Sequence, residues 1–182
     1  MIVDFLEDLK RVGAAPQAPD AQRLLRAAAL CSTVSELACK LPYRPNCYTR
    51  TLLHEQQEFE ILLLRWAPGA FAPIHDHGLQ RCYFAIVEGT LSVDNYRRVD
   101  GGTGAGEAKI VAVDNAELTK GEIDARIEAW DLHRVANRSA EEVLTLHVYA
   151  RPVKDFLVYD EARNSCSLGQ NKPDFTLSAL SL

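Results

Sequence analysis

Two of the five histidines lie one residue apart, in Ile74-His75-Asp76-His77. On a β-strand, residues i and i+2 face the same side, so both imidazoles can point into a barrel interior. Converging imidazoles repel when protonated and strand polar atoms when buried neutral, and a metal ion relieves both difficulties. Taken alone, the pair equally suits two polar strand residues at a barrel mouth. A second pattern lies in Thr145–Tyr149, where residues 145, 147 and 149 would line a hydroxyl, an imidazole and a phenol along one strand face. That line fits a pocket wall, although an exposed sheet face would give the same alternation. Arg50 offers a planar fork of donors suited to a carboxylate, where lysine would be a poorer match. A surface arginine on an edge strand is the plainer alternative. Cys82 also reads as a small buried hydrophobe. His54, in Leu-His-Glu-Gln-Gln, reads as a solvated turn residue. Asp76 points away from its histidine neighbours and anchors its loop, while Trp66 packs the core beside the histidine strand.

The spacing around these residues is more specific. Gly69, His75, His77, Cys82 and Gly89 follow G-x5-H-x-H-x4-E-x6-G, the first motif of cupins, with Cys82 in the glutamate position. His133-Arg-Val-Ala-Asn137 matches the H-x3-N ending of the second motif, whose upstream proline and glycine are replaced by Glu128 and Trp130. The chain thus resembles a cupin whose metal site is His75, His77 and His133 without the usual carboxylate. Three neutral imidazoles would leave a divalent ion with its full +2 charge, which favours an anionic thiolate and leaves room for an amine and dioxygen beside it. Affinity alone does not select iron, because imidazoles bind nickel, copper and zinc more tightly.

These motifs, taken in order, resemble the cysteine dioxygenases over roughly Tyr48 to Pro152, with a weaker fit in the N-terminal region. The segments that carry the likeness are Tyr48-Thr49-Arg50, Leu63 to Trp66, the Pro-Ile-His-Asp-His run with Cys82 beyond it, Leu132 to Asn137, and Leu146-His-Val-Tyr149. The resemblance implies that His75, His77 and His133 hold Fe(II), that Arg50 and Tyr48 grip a substrate carboxylate, and that Tyr149 is the active-site tyrosine. It further implies a thioether cross-link between Cys82 and Tyr149, and a hydrogen bond from His147 toward the tyrosine hydroxyl. The family's serine two residues before that histidine is Thr145 here, which keeps the hydroxyl but restricts its rotation. The expected reaction oxidises a small aminothiol such as L-cysteine with O2 to a sulfinic acid. Related mercaptopropionate dioxygenases tend to carry glutamine where Arg50 stands, which tilts the expectation toward cysteine. The alternatives are 3-mercaptopropionate or another small thiol acid as substrate, and a non-catalytic metal-binding cupin.

The elements that must position these residues follow from periodicity. Helices are expected over Asp4 to Arg11, from Pro19-Asp20 through an apolar stripe of Leu24, Leu25, Ala28 and Cys31, and in a short third segment capped by Ser32 or Thr33. Beyond Pro42 and Pro45 come short β-rich runs: Tyr48–Leu53, Phe59–Trp66, Cys82–Val87, Thr90–Tyr96, Lys109–Val113, Arg126–Trp130 and Val143–Ala150. Many short strands with regular turns mean a sandwich or barrel. With the motif resemblance, the expected fold is mainly β, a jelly-roll-like cupin barrel with N-terminal helices packed on it. The 182 residues suit one domain, with helices over 1–42, the barrel over 43–162 and a polar surface tail over 163–182. The net charge of −5, with basic residues scattered, argues against nucleic acid or an anionic membrane as partner. Five cysteines without a CxxC pair suggest neither a disulfide framework nor a zinc knuckle. The acidic N-terminus and the lack of a long apolar run lead to the expectation of a cytoplasmic protein, monomeric or weakly dimeric.

Overall fold

A computed structural model of the protein describes residues 21–127 and 131–177, together with residues 7, 10 and 11, which are helical. The rest of the expected first helix, the Pro19-Asp20 start of the second, and Glu128–Trp130 lie outside the described residues. Helices α1 (Ala21–Ala29) and α2 (Ser32–Ala38) precede the strands. In chain order these are β1 (Tyr48–Glu55), β2 (Glu60–Trp66), β3 (Phe71–His75), β4 (Cys82–Glu88), β5 (Thr90–Arg98), β6 (Gly106–Glu107) and β7 (Ile110–Thr119). They continue with β8 (Ile123–Arg126), β9 (Leu132–Ala136), β10 (Val143–Tyr149), β11 (Asp155–Asp160), β12 (Ser165–Gln170) and β13 (Phe175–Thr176). One sheet runs β13-β1-β2-β10-β4-β8 and the other β6-β12-β11-β3-β9-β5-β7. The two sheets enclose an apolar interior built from Leu52, Leu62, Leu64, Trp66, Phe84, Ile86, Leu91, Val93 and Val135.

The helices cover the outer face of the six-stranded sheet. Leu25, Val34 and Leu37 are fully buried against Ile61, Leu63, Ala85, Leu144, Leu146 and Val148, each worth about 1.5–3 kcal/mol of burial. Arg65 ties the two layers together, donating from one terminal nitrogen to the Ala38 and Leu41 carbonyls and from the other to Glu142. Strand β10 is therefore buried along its whole length, with one face toward the helices and the other toward the interior.

Several expectations need correcting. Cys31 lies exposed beyond α1 rather than on its stripe, and it occupies the N-cap of α2 with no side-chain cap, so neither Ser32 nor Thr33 caps that helix. The strand expected from Arg126 ends there instead, because Ile123–Arg126 pairs with β4 through Cys82↔Arg126 and Ala85↔Ile123. The segment from Arg163 onward is not a surface tail. Its residues 165–170 form β12, paired with β11, and Phe175–Thr176 adds a parallel strand beside β1. Cross-strand pairing recruits these polar residues, a non-local effect that alternation alone does not signal. His54 lies in β1, not in a turn. It is half-buried against Phe59, with ring centroids 5.4 Å apart, and burial pulls its pKa below the usual histidine range.

Two glycines flanking the motif residues, Gly89 within the motif and Gly78 between His77 and Cys82, have steric reasons. Gly89 has φ +83°, and a Cβ there would lie 2.9 Å from a Val143 methyl. Gly78, just after His77, has φ +57°, and a Cβ would lie 2.2 Å from the Asp155 carbonyl oxygen. Both positions require glycine. The motif's terminal Asn137 is structural as well, donating to the Trp66, Ala67 and Glu141 carbonyls from a fully buried position.

Candidate active site

His75 closes β3 and stands directly opposite His133 on β9, their rings 4.7 Å apart centroid to centroid. His77 lies past the end of β3 rather than on it. Its ring nevertheless turns inward, 5.1 Å from His75 and 4.9 Å from His133. Strand alternation is thus not what brings the pair together; the turn around Asp76 does. Asp76 accepts hydrogen bonds from the Gly78 and Leu157 backbone amides at 3.0 and 2.9 Å, the anchoring role expected of it. One ligand nitrogen from each of the three histidines lies within 4.8 Å of the other two. A metal at about 2.1 Å from each nitrogen needs separations of about 3–3.5 Å, so a modest contraction would seat it.

The hydrogen bonds behind the rings also fit a metal. His75 donates from Nδ1 to the Pro73 carbonyl at 2.8 Å, and His133 donates from Nδ1 to Asp124 at 3.2 Å. Each leaves Nε2 as a free lone pair facing the other two rings. Burial, then the neighbouring imidazoles, holds His77 and His133 well below the ordinary histidine pKa. Burial lowers His75 as well, so all three rings are neutral at physiological pH. Asp124 is itself gripped by Arg126 at 2.8 and 2.6 Å. Sequence reading missed both residues; their one signal is Asp-x-Arg alternation on a short strand, which any solvated edge would share.

All eight candidate residues converge. A cavity of about 90 Å³ is lined by Tyr48, Arg50, His75, His77, Cys82, His133, His147 and Tyr149, with Trp66, Phe156 and Asn171 among its other walls. This exceeds the roughly 10–15 Å³ that a single water needs and suits a small molecule. Arg50 presents a buried Nε that has no partner among the described residues. Tyr48 stacks on Trp66 at 4.8 Å, and burial keeps its phenol protonated.

On the opposite wall, the polar face of β10 forms a continuous chain. Trp66 donates from Nε1 to Thr145 Oγ1 at 2.9 Å, Thr145 Oγ1 lies 2.8 Å from His147 Nε2, and His147 Nδ1 lies 3.3 Å from the Tyr149 hydroxyl. One proton assignment satisfies every group. Thr145, accepting from Trp66, donates to Nε2; Nδ1–H donates to Tyr149; and the phenol proton is left for the cavity. His147, stacked on Phe84 at 4.9 Å, is depressed to about 3 by burial and then by Arg50, so it stays neutral. The exposed-face alternative for β10 falls, and threonine serves where the family has serine. Tyr149 and Cys82 are directly opposed across β10 and β4, and both are buried. Burial pushes both of their pKa values up, so both are protonated.

With this geometry in place, comparison with known proteins identifies the lineage. The family model for cysteine dioxygenase type I matches residues 7–162. The chain belongs to the cysteine dioxygenase type I family. It is 27% identical over 120 residues to cysteine dioxygenase type 1 of Danio rerio, covering 63% of this chain and 56% of that protein. Against the Rattus norvegicus protein the figures are 25% over 132 residues, 71% and 64%. This family member thus spans less than two thirds of the length of those relatives. Among solved structures, a Klebsiella pneumoniae protein with a double-stranded β-helix domain superposes with a TM-score of 0.50 at 15% identity, over 67% of this chain and 87% of that one. That likeness concerns the fold and agrees with a cupin barrel. No helix among the described residues is long and apolar enough to cross a membrane.

Proposed function

We propose that the protein is an Fe(II)-dependent thiol dioxygenase that converts L-cysteine to cysteine sulfinic acid. The observation that carries this reading is the placement of three neutral imidazoles, free of any carboxylate ligand, in one small cavity with an unpartnered arginine donor. His75, His77 and His133 would hold the iron through Nε2. Bound there, ferrous iron supplies adjoining open positions where thiolate, amine and dioxygen can meet.

The remaining residues bind, orient and exclude water. Arg50 pairs with the substrate carboxylate and Tyr48 supports it, which fixes the sulfur end of the substrate toward the imidazoles. Tyr149, whose hydroxyl lies 3.3 Å from His147 Nδ1, directs its proton toward the site of oxygen transfer and stabilises charge developing there. Asp124, clamped by Arg126, holds the His133 ring in its metal-facing tautomer. The stoichiometry is one thiol and one O2 giving one sulfinic acid. Sulfur loses four electrons, dioxygen gains them, and both oxygen atoms end on sulfur. The facing of Cys82 and Tyr149 supports a thioether, in which the thiol hydrogen and one ring hydrogen would be lost to dioxygen as the two-electron oxidant, giving hydrogen peroxide.

An oxygen electrode with iron-loaded protein tests the reading. Uptake of one O2 per cysteine, with sulfinate as product, is expected. Arg50→Gln should reduce kcat/KM on cysteine by at least tenfold, because the substrate carboxylate loses its charged partner. Absence of oxygen uptake with every small thiol would remove the enzymatic reading, and a wild-type preference for 3-mercaptopropionate would overturn the substrate assignment.

A further inference from the structure

The segment after β12 supplies a cavity wall that the reaction outlined above does not use. Asn171 donates its backbone N–H to the Lys154 carbonyl at 2.9 Å, which pins the segment to the seven-stranded side. Three residues later, Asp174 N–H donates to the Arg50 carbonyl at 2.9 Å, and the Asp174 carboxylate accepts from the Arg50 N–H at 2.9 Å. Asp174 also pairs with Arg44 at 2.7 Å. The stretch Asn171-Lys172-Pro173-Asp174 therefore bridges the two sheets beside the strand that carries Arg50. Held at both ends and stiffened by Pro173, it presents Asn171 to the cavity in a fixed position.

Four buried side-chain polar atoms lack a hydrogen-bond partner among the described residues, and two of them, Arg50 Nε and Asn171 Oδ1, belong to residues that line the cavity. One is a donor and the other an acceptor. Each costs about 1–3 kcal/mol while it stays unanswered, so a ligand that answers both recovers that cost. An acid group answers the arginine. The amide oxygen can only accept, and the amino group of an aminothiol acid brings the N–H that it needs.

We propose that Asn171 is a specificity-determining residue whose amide oxygen accepts a hydrogen bond from the substrate's amino group. It thereby selects an amine-bearing thiol acid over the amine-free analogue. The proposal rests on the thiol dioxygenase reading and extends it to the amine. An amino group whose lone pair is engaged elsewhere still keeps its N–H bonds for this acceptor. An acid without the amine satisfies Arg50 and leaves Asn171 Oδ1 buried and unpaired, and a site with an unanswered polar group discriminates strongly against such an analogue.

Equilibrium titration of the full-length, iron-loaded protein under anaerobic conditions with cysteine and with 3-mercaptopropionate tests this without turnover. Asn171→Leu, close in volume, should weaken cysteine binding about tenfold and leave 3-mercaptopropionate within about twofold. Asn171→Asp keeps the acceptor oxygen and should keep cysteine binding near wild type. Equal weakening of both acids by Asn171→Leu, or no change in either, overturns the proposal. So does loss of both acids in Asn171→Asp, which would mean that the amide donates to the carboxylate. If Asn171→Leu fails to fold, Asn171→Ala decides in its place, with the same selective loss of cysteine binding expected. Wild-type protein that binds neither thiol removes the dioxygenase reading and this inference with it. Wild-type binding of cysteine that is indifferent to Asn171 removes the inference alone.

Discussion

Cys82 stands where cupins place a ligand glutamate, yet a carboxylate remains near the proposed metal site, one hydrogen bond further out. From β8, Asp124 accepts a hydrogen bond from His133 Nδ1, while Arg126 holds both carboxylate oxygens. This arrangement keeps the ligand set neutral and still aligns the ring. Removing such a partner typically lowers metal affinity by about 10–100-fold. Asp124→Ala is expected to lose iron to a competing chelator over that range with its far-UV circular dichroism unchanged. Unaltered affinity would mean that Asp124 is a surface ion-pair residue. The three candidate ligand histidines were legible in the sequence because fixed short spacings tie them to motifs. Asp124 was not, because its meaning comes from a ring nine residues away that only the β8–β4 and β9–β3 pairings bring near.

Among the elements, the β3–β4 connection carries the most constraint. It must end a strand at His75, turn His77 inward, and return to β4 at Cys82. Gly78 permits this through its positive φ and its approach to the Asp155 backbone. Gly78→Ala should cost more than the 1 kcal/mol or so of an αL alanine, because the obstructing atom is backbone. We expect a drop in melting temperature of several degrees and a larger loss of iron content than in Gly69→Ala, where a Cβ meets nothing within 4 Å. Equal effects at the two glycines would show that backbone strain alone matters. Strand β10 teaches a different lesson. Its sequence alternates polar and apolar, the usual mark of a half-exposed strand, yet both faces are buried. The apolar face meets α1 and α2, and the polar face satisfies itself through Trp66, Thr145, His147 and Tyr149. A polar line inside a protein must be fully partnered, and this one is.

At the scale of the whole molecule, burying a neutral imidazole makes folding sensitive to acid. His147 titrates near 3 in the folded protein, against about 6.5 in an unfolded chain. Between those values the unfolded state binds a proton that the native state refuses. The contribution is therefore fully present above about pH 6.5 and is lost as pH falls toward 3, at about 1.4 kcal/mol per pH unit from this group. Urea midpoints of metal-free protein should fall from pH 7.5 to 5, and His147→Gln should shallow that slope by about one proton. A slope unchanged in the variant would place the acid sensitivity elsewhere.

Short-range information sufficed for the histidine triad, the Arg50 and Tyr48 pair, the alternating face of β10, and the mainly β character with helices ahead of it. Each of those signals repeats within a few residues along the chain. Tertiary structure alone decided that His77 reaches the site from a turn, that Asp124 backs His133, and that Cys82 faces Tyr149. It also decided that the polar C-terminal stretch is a paired strand and a wall of the cavity. The physical reason is the same each time. A hydrogen bond or a cross-strand register joins residues tens of positions apart, and its energy depends on burial that no local pattern encodes.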